Sequence, residues 1–503
     1  MKSQLVVGTL LASTWSLVQS QTVHWNIEGR HPRPYLARRA KTTYEEIISN
    51  DISRGGYFTE VTVGNPPQNI TLQLDTGSSD VWVPWTCADI CEDEGRGCPF
   101  GSFDPDKSKS FDHVAPGMFS ITYVDDSYVR GDYFEDQFEL DGAIISNLTM
   151  GLGIRTNITF GVVGVGYAKN EASGNTLDVI YPNLPVAMYQ EGYINTIAYS
   201  VWLNDLDAKA GSLLFGGVDT EKYLGEMQRI DIQKTDGHYY HFTVVLTSLV
   251  ATSPSGRDIL TSECFPINVL LDSGSTLSYL PQDLAHQIWE EVGAIWSPYF
   301  HAAVLPCSYG KHPGNFTFGF AGPDGPRISV AMDELVLTLT ANEADMPVFE
   351  SGAYEGEAIC KFGIQSETGS TNVLGNSFLR SAYVVYDLVN NEIGIAATDF
   401  NSTKSNRVAF RGYGAAVPSA TAASNQHRAT ELPTATGHNF TAADGFQQRD
   451  SSSDSDEGEV EDDGDDEDNA ASLPTPPGTP LVLVVATASF MLLGGGVFSN
   501  NLS

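Results

Sequence analysis

Two short frames constrain this chain more than anything else in it: Leu74-Asp75-Thr76-Gly77-Ser78-Ser79 and Leu271-Asp272-Ser273-Gly274-Ser275-Thr276. In each, apolar or β-prone residues deliver an aspartate to a turn built from one glycine and several hydroxyls. The copies lie roughly 200 residues apart, the scale of one domain each. Each is followed much later by an apolar-apolar-Gly element, Val162-Val163-Gly164 and Val373-Leu374-Gly375. This repeat points to two pseudo-symmetric lobes that bring two carboxyls face to face. Gly77 and Gly274 let the backbone turn tightly beside each aspartate. The hydroxyls of Thr76, Ser78, Ser273 and Ser275 are placed to hold the carboxyls coplanar from behind. Two carboxyls within a few ångströms cannot both ionise, so they share a proton and titrate as a pair. One can take a proton from water while the other donates to a carbonyl, which hydrolyses a peptide bond without metal, cofactor or covalent intermediate.

The 503 residues leave room for two lobes and for segments that do not fold. From residue 56 to about 400 the pattern is that of strands. Short β-branched or aromatic runs at 57–63, 70–74, 119–123, 212–215, 240–249, 269–271, 334–340 and 382–386 are separated by Gly, Asn, Asp and Pro. The best helical signal is 281–293, with Leu284, Ile288 and Glu291 at helical spacing. The chain carries 27 basic against 63 acidic residues, a net charge of -36. That excludes a phosphate-backbone binder, so no nucleic-acid partner is expected. Part of the acidity is a solvated tract at 450–468.

Both ends read as addresses. Lys2, an apolar stretch from Leu5 to Leu17 and Val18-Gln19-Ser20 form a signal peptide over 1–20, too short in its apolar core to span a membrane. Export implies an oxidising compartment, so the six cysteines are expected in three disulfides rather than at a metal. Sequons begin at Asn69, Asn147, Asn157, Asn315, Asn401 and Asn439. A basic segment over 21–53, with Arg30, Arg33, Arg38-Arg39 and Lys41, fits an inhibitory propeptide; a plain linker is the alternative. Residues 401–468 shift to Ala, Ser, Thr, Pro and then acids, a composition expected to form a coreless stalk and an acidic tract. Residues 469–503 combine Asn469-Ala470-Ala471, a Pro/Thr spacer and a terminal apolar tail, the pattern of a GPI-anchor signal with Asn469 as attachment residue. A retained transmembrane helix would lack its basic flank.

Over roughly 56–400 the chain resembles the pepsin family. The motifs are Phe58-Thr59-Glu60-Val61-Thr62-Val63-Gly64-Asn65-Pro66-Pro67-Gln68, the two aspartate frames, Asp80-Val81-Trp82-Val83-Pro84, the two apolar-apolar-Gly elements, Phe378-Leu379-Arg380 and Val384-Val385-Tyr386-Asp387, in order and at family spacing. The resemblance implies an all-β, bilobal fold, with an N-terminal β lobe over 54–205, a C-terminal β lobe over 206–400, a cleft between them and a shared bridging sheet. It implies aspartic endopeptidase activity with Asp75 and Asp272 catalytic, no cofactor, protein or peptide substrates, and a monomer. Phe119-Ser120-Ile121-Thr122-Tyr123 matches the leading strand of the family's flap. Tyr123 then matches the flap tyrosine and Trp82 the tryptophan that supports it.

The flap departs from the common pattern, since Val124-Asp125-Asp126 stands where the tyrosine is normally followed by Gly-x-Gly. Losing those glycines is expected to remove access to φ > 0 and to stiffen the tip. Asp125 holds the position at which some fungal members carry an aspartate that receives a basic side chain beside the scissile bond; a solvated acidic turn is the bland alternative. Cys307 and Cys360 match the second-lobe disulfide of the family. Cys264 must then pair with one of Cys87, Cys91 and Cys98, and the other two with each other. Glu92, Asp93 and Glu94 in that cysteine loop are expected to add negative potential near the cleft mouth. Loop, stalk and anchor signal look like yapsins and related fungal surface proteases. The leading expectation is a GPI-anchored cell-surface aspartic endopeptidase acting on secreted or wall proteins. A freely secreted acid protease and a peptide-binding pseudoprotease are the alternatives.

Overall fold

The computed structural model describes residues 56–93, 97–208, 211–262, 265–340, 346–367, 369, 371–429 and 440–447, together with the backbone of one earlier strand, β1 (Val23–Arg30). The first lobe is built from β2 (Gly56–Val63), β3 (Gln68–Asp75), β4 (Val81–Pro84), β5 (Asp112–Thr122), β6 (Tyr128–Leu140), β7 (Ala143–Thr156) and β8 (Gly161–Gly164). Six of them close in the order β2-β3-β8-β4-β7-β6, because β6 returns to β2 through Thr62 opposite Glu139 and Val63 opposite Phe138. Val63, Leu72, Leu74, Phe134, Phe138, Met150 and Val163 fill its interior, fully buried. Closure leaves no exposed edge among those six, and β5 hangs from β6 as the outer arm of a hairpin.

The chain then runs through β9 (Ala198–Trp202), β10 (Gly211–Phe215), β11 (Gly217–Asp219) and β12 (Tyr223–Asp231) into the second lobe. That lobe has β13 (Thr243–Ser253), β14 (Gly256–Ile259), β15 (Ile267–Leu271), β16 (Ser278–Leu280), β17 (Ile295–Ser297), β18 (Ala302–Pro306), β19 (Asn315–Phe320), β20 (Arg327–Ala331), β21 (Val336–Thr338), β22 (Ile359–Phe362), β23 (Ile364–Ser366) and β24 (Asn372–Leu374). Its main sheet runs β20-β19-β13-β15-β24-β16-β23, with β14 on β13. The chain returns through β25 (Ala382–Asp387) and β26 (Glu392–Thr398), then β27 (Arg407–Ala409) and β28 (Ala420–Ala422). The order β12-β26-β25-β9-β10-β1-β2 makes one sheet that joins second-lobe strands to the first barrel. β1 occupies the slot between β10 and β2, antiparallel to both. It lies within the segment expected as propeptide.

The helix expected at 281–293 is present as Gln282–Val292, ended by Gly293 at φ 73. There a glycine is needed for the left-handed cap. The strand expected at 334–340 starts later. Met332–Leu335 forms a helical turn, because the buried Glu334 carboxylate turns inward to Arg380 and accepts the Leu206 N–H at 3.0 Å.

A second correction concerns the stalk. Within 401–468, residues 401–429 and 440–447 are packed on the folded body. β27 pairs with β11, and β28 runs parallel to β12. Phe410 and Val417 are buried beside Trp202 and Tyr383, and Ala442 and Phe446 join the main core. The segment has too few large apolar residues to build a core, but those few suffice to dock into one already made. The signal peptide, Arg33, Arg38-Arg39, Lys41, Glu94, Cys264, Asn439, the acidic tract and Asn469 lie outside the described residues. No helix among the described residues is long and apolar enough to cross a membrane.

Candidate active site

The aspartate frames are delivered by the same device in both lobes. β3 runs parallel to β8, placing Asp75 beside Gly164, and β15 runs parallel to β24, with the Asp272 N–H donating to the Leu374 carbonyl at 3.1 Å. The apolar-apolar-Gly elements are thus the strands flanking each frame. Their glycines have a steric reason. A Cβ on Gly164 would stand 2.7 Å from the Asp80 backbone, and one on Gly375 would stand 2.3 Å from the Leu277 carbonyl oxygen.

Asp75 and Asp272 are brought within hydrogen-bonding reach of each other, and both are buried. Each carboxyl sits over the other frame's glycine. A Cβ on Gly77 would stand 2.6 Å from Asp272 Oδ1, and one on Gly274 2.5 Å from Asp75 Oδ1. The Gly77 and Gly274 N–H groups each donate 2.8 Å bonds to the Oδ1 of their own aspartate. Ser78 Oγ donates to Asp75 Oδ2, and Ser275 Oγ donates to Asp272 Oδ2 at 2.6 Å. Burial raises the pKa of both carboxyls above the usual carboxylate range. The charge of Asp75 pushes Asp272 further up, while the serine and backbone donors pull the other way. Such a pair holds one proton over a wide acidic range.

The four hydroxyls divide into two kinds. Ser78 and Ser275 touch the carboxyls. Thr76 and Ser273 do not; they stitch the two loops together. Thr76 Oγ1 donates to the Leu271 carbonyl at 3.0 Å and accepts the Ser273 N–H at 2.9 Å. Ser273 Oγ donates to the Leu74 carbonyl and accepts the Thr76 N–H, both at 3.1 Å. The reciprocal set explains why a hydroxyl is needed at this position in both frames, and why its methyl is dispensable.

The β5–β6 hairpin carries Tyr123 and Asp125, and Trp82 stands beside it on β4. Trp82 Nε1 donates to the Tyr123 hydroxyl at 2.8 Å, with the tryptophan fully buried. At the tip, Asp126 adopts φ 64, so the expectation that losing the glycines removes positive φ is overturned. Aspartate tolerates this region because its short polar side chain can bond locally. The turn is fixed by Asp125, whose Oδ1 accepts from Ser127 N at 3.0 Å and from Ser127 Oγ at 2.5 Å. Burial raises the pKa of Tyr279 on β16, and the charge of the half-buried Asp125 carboxylate, acting across to the second lobe, adds to it.

Sequence reading missed a network behind the hairpin. Asp80, five residues after Asp75, is buried and accepts from Ala172 N at 2.9 Å, Tyr181 Oη at 2.7 Å and Tyr133 Oη at 3.3 Å. Buried Glu171 accepts from Tyr181 N at 2.9 Å, and burial lifts its pKa to about 9. The only signal in the sequence was an acid inside an apolar strand start. Elsewhere, Cys307 pairs with Cys360 and Cys91 with Cys98, while Cys87 is exposed and free among the described residues. Glu92 and Asp93 are exposed. Asn69, Asn147 and Asn401 are exposed, and Asn157 and Asn315 are half-buried. Among the described residues no group of His, Cys, Asp and Glu is arranged to hold a metal.

Residues 56–398 match the family described as eukaryotic aspartyl protease. A probable aspartic-type endopeptidase, opsB, of Aspergillus fumigatus is 42% identical over 396 residues, covering 78% of this chain and 79% of the relative. An acid protease of Saccharomycopsis fibuligera is 34% identical over 365 residues (72% and 86% covered). The aspartic proteinase yapsin-3 of Saccharomyces cerevisiae is 31% identical over 386 residues (74% and 71%). With its two buried carboxyls set face to face, the chain belongs to the eukaryotic aspartyl protease family and is an aspartic-type endopeptidase.

Proposed function

We propose that Asp75 and Asp272 are the catalytic dyad, sharing one proton and activating water that bridges them. The observation that carries this reading is their contact within a symmetric frame of serine and glycine donors. The ionised carboxyl removes a proton from water as it attacks the scissile carbonyl, and the protonated one donates to that carbonyl oxygen; the C–N bond of the resulting diol then breaks as the first carboxyl passes its proton to the leaving amine and a diol hydroxyl returns a proton to the second. Tyr123, held by Trp82, closes over the substrate from the hairpin. Cleavage of a peptide at acidic pH, inhibited by pepstatin and abolished in Asp75→Asn, is the expected result. Retained cleavage in Asp75→Asn refutes the assignment.

The finer reading concerns specificity and place. Asp125 puts a half-buried negative charge between the flap and the second lobe, which favours Lys or Arg beside the scissile bond. Paired Lys and Ala peptides should lose their difference in kcat/KM in Asp125→Ala. The signal peptide, the sequons and the pattern at 469–503 support a GPI-anchored surface enzyme acting on secreted or wall proteins, made with a basic propeptide at 21–53. Release from cells by a phosphoinositide-specific phospholipase tests the anchor separately from the chemistry.

A further inference from the structure

The two aspartate frames differ in chemistry two residues before the aspartate, where the first has Gln73 and the second Leu270. Both side chains are buried, at 8% and 2% exposed. A strand alternates its faces, so Gln73 shares the face of Asp75 while Leu72 and Leu74 turn into the barrel. Its partners across the sheet are Phe58 on β2 and Val162 on β8, whose side chains offer a carboxamide nothing polar. A buried carboxamide is tolerated where it is hydrogen-bonded. Gln73 Nε2 donates to the Gly274 carbonyl at 3.2 Å, 201 residues away in the other lobe. Gly56 leaves the room for it, since a Cβ there would stand 2.8 Å from Gln73 Nε2.

Gly274 is thus held at both of its peptide groups. Its N–H donates to Asp272 Oδ1 at 2.8 Å, and its carbonyl accepts from Gln73. It is wedged between the carboxyls: a Cβ there would stand 2.5 Å from Asp75 Oδ1 and 3.1 Å from Asp272 Oδ1. The turn's own closing bond, from the Ser275 N–H to the Asp272 carbonyl, is long at 3.4 Å. The aim of the Gly274 N–H therefore depends on what holds the far side of the residue. The first frame is held differently. There the Gly77 carbonyl accepts from Asn170 Nδ2 at 3.3 Å, and Asn170 belongs to the same lobe.

We propose that Gln73 is a positioning residue for hydrolysis, holding from the first lobe the glycine whose N–H is aimed at Asp272. The inference rests on the reading of Asp75 and Asp272 as the dyad. The Thr76 and Ser273 hydroxyls fasten the residues flanking the aspartates; the Gln73 amide fastens a residue that itself donates to a carboxyl. A backbone donor favours the ionised carboxyl, so a weakened Gly274 bond leaves the pair holding its shared proton to higher pH.

Gln73→Leu copies the residue of the second frame, removing the amide and keeping a buried side chain. Assayed with one peptide over the pH range in which urea unfolding stays cooperative, it should lower kcat by ~10-fold with KM little changed. The alkaline limb of log kcat/KM against pH should move up by as much as ~1 unit. Gly56→Ala crowds Nε2 and leaves the amide in place; it should move the limb the same way by less, and it carries the test if Gln73→Leu does not unfold cooperatively. A smaller folded fraction would scale activity equally at every pH and leave the limb where it is. The proposal is overturned if neither variant moves the limb, if kcat falls in Gln73→Leu with the limb unmoved, or if the loss lies in KM alone. Asp75→Asn in the same assay keeps the two readings apart. Cleavage retained there refutes the dyad itself, whereas cleavage abolished there beside a native profile in Gln73→Leu refutes the role of Gln73.

Discussion

Thr76→Val removes one hydroxyl and almost no volume, and it should cost this enzyme both stability and turnover. Thr76, Leu271 and Ser273 are all fully or nearly fully buried. The substitution leaves the Leu271 carbonyl without its 3.0 Å donor and the Ser273 N–H without its 2.9 Å acceptor. Each orphaned buried backbone group costs about 1–3 kcal/mol, so the pair should destabilise the fold by roughly 2–6 kcal/mol. The loss falls on the seam between the two aspartate loops. A displacement of one carboxyl by ~1 Å relative to the other lowers turnover by about 100-fold. Thr76→Ser keeps both bonds, as Ser273 does in the second frame, and should stay close to the native protein in both measurements. Urea unfolding at neutral pH, where self-cleavage is slow, reads the stability; hydrolysis of a peptide at acidic pH reads the turnover. Ser273→Ala should mirror the Val variant, because Ser273 Oγ makes the reciprocal bonds to Leu74 and Thr76. If Thr76→Val is as stable and as active as the native enzyme, the stitching role is refuted.

Three further outcomes follow from the same geometry. Gly77→Ala places a methyl 2.6 Å from Asp272 Oδ1 and should abolish peptide hydrolysis while the purified protein keeps a cooperative unfolding transition. Tyr123→Phe removes the acceptor of the buried Trp82 N–H, a loss of about 1–3 kcal/mol confined to the hairpin, and should raise hydrogen exchange in 119–129 while lowering kcat. Glu171 has a folded pKa of about 9 against an ordinary value of 4.5; a raised acid stabilises the fold below the unfolded pKa, and that contribution is lost as pH climbs from 4.5 toward 9. Glu171→Gln should therefore flatten the fall in Tm across that window by the equivalent of a few kcal/mol, and an unchanged pH dependence of Tm would count against it.

How much could be read in advance depended on whether a residue's role is local. The frames around Asp75 and Asp272, the glycine-ended strands opposite them and the helix closed by Gly293 are local patterns with one physical solution, and each is found where the sequence put it. Thr76 and Ser78 carry the same functional group two residues apart, yet one bonds backbone of the opposite loop and the other its own aspartate. Only the meeting of the two loops decides that. The same holds for Glu334, which a strand pattern places on a sheet face and Arg380 draws inward. It holds again for Phe410 and Phe446, single apolar residues in a polar stretch whose pockets are made by strands far away in the chain.

The flap tip shows why composition alone misjudged access to positive φ. Glycine is one route to positive φ; an aspartate that bonds its own turn is another. Here the two acids split the work. Asp126 takes φ 64, and Asp125 clamps Ser127 through one oxygen. Asp125 is therefore both the fastener of the turn and the charge that acts on the second lobe through Tyr279. Replacing it changes tip geometry along with charge, so lost preference for a basic residue in Asp125→Ala has two readings. Asp125→Asn separates them, because an amide oxygen can still accept from Ser127 while the charge is gone. Preference lost in both variants assigns the effect to charge; preference kept in Asp125→Asn assigns it to the shape of the turn.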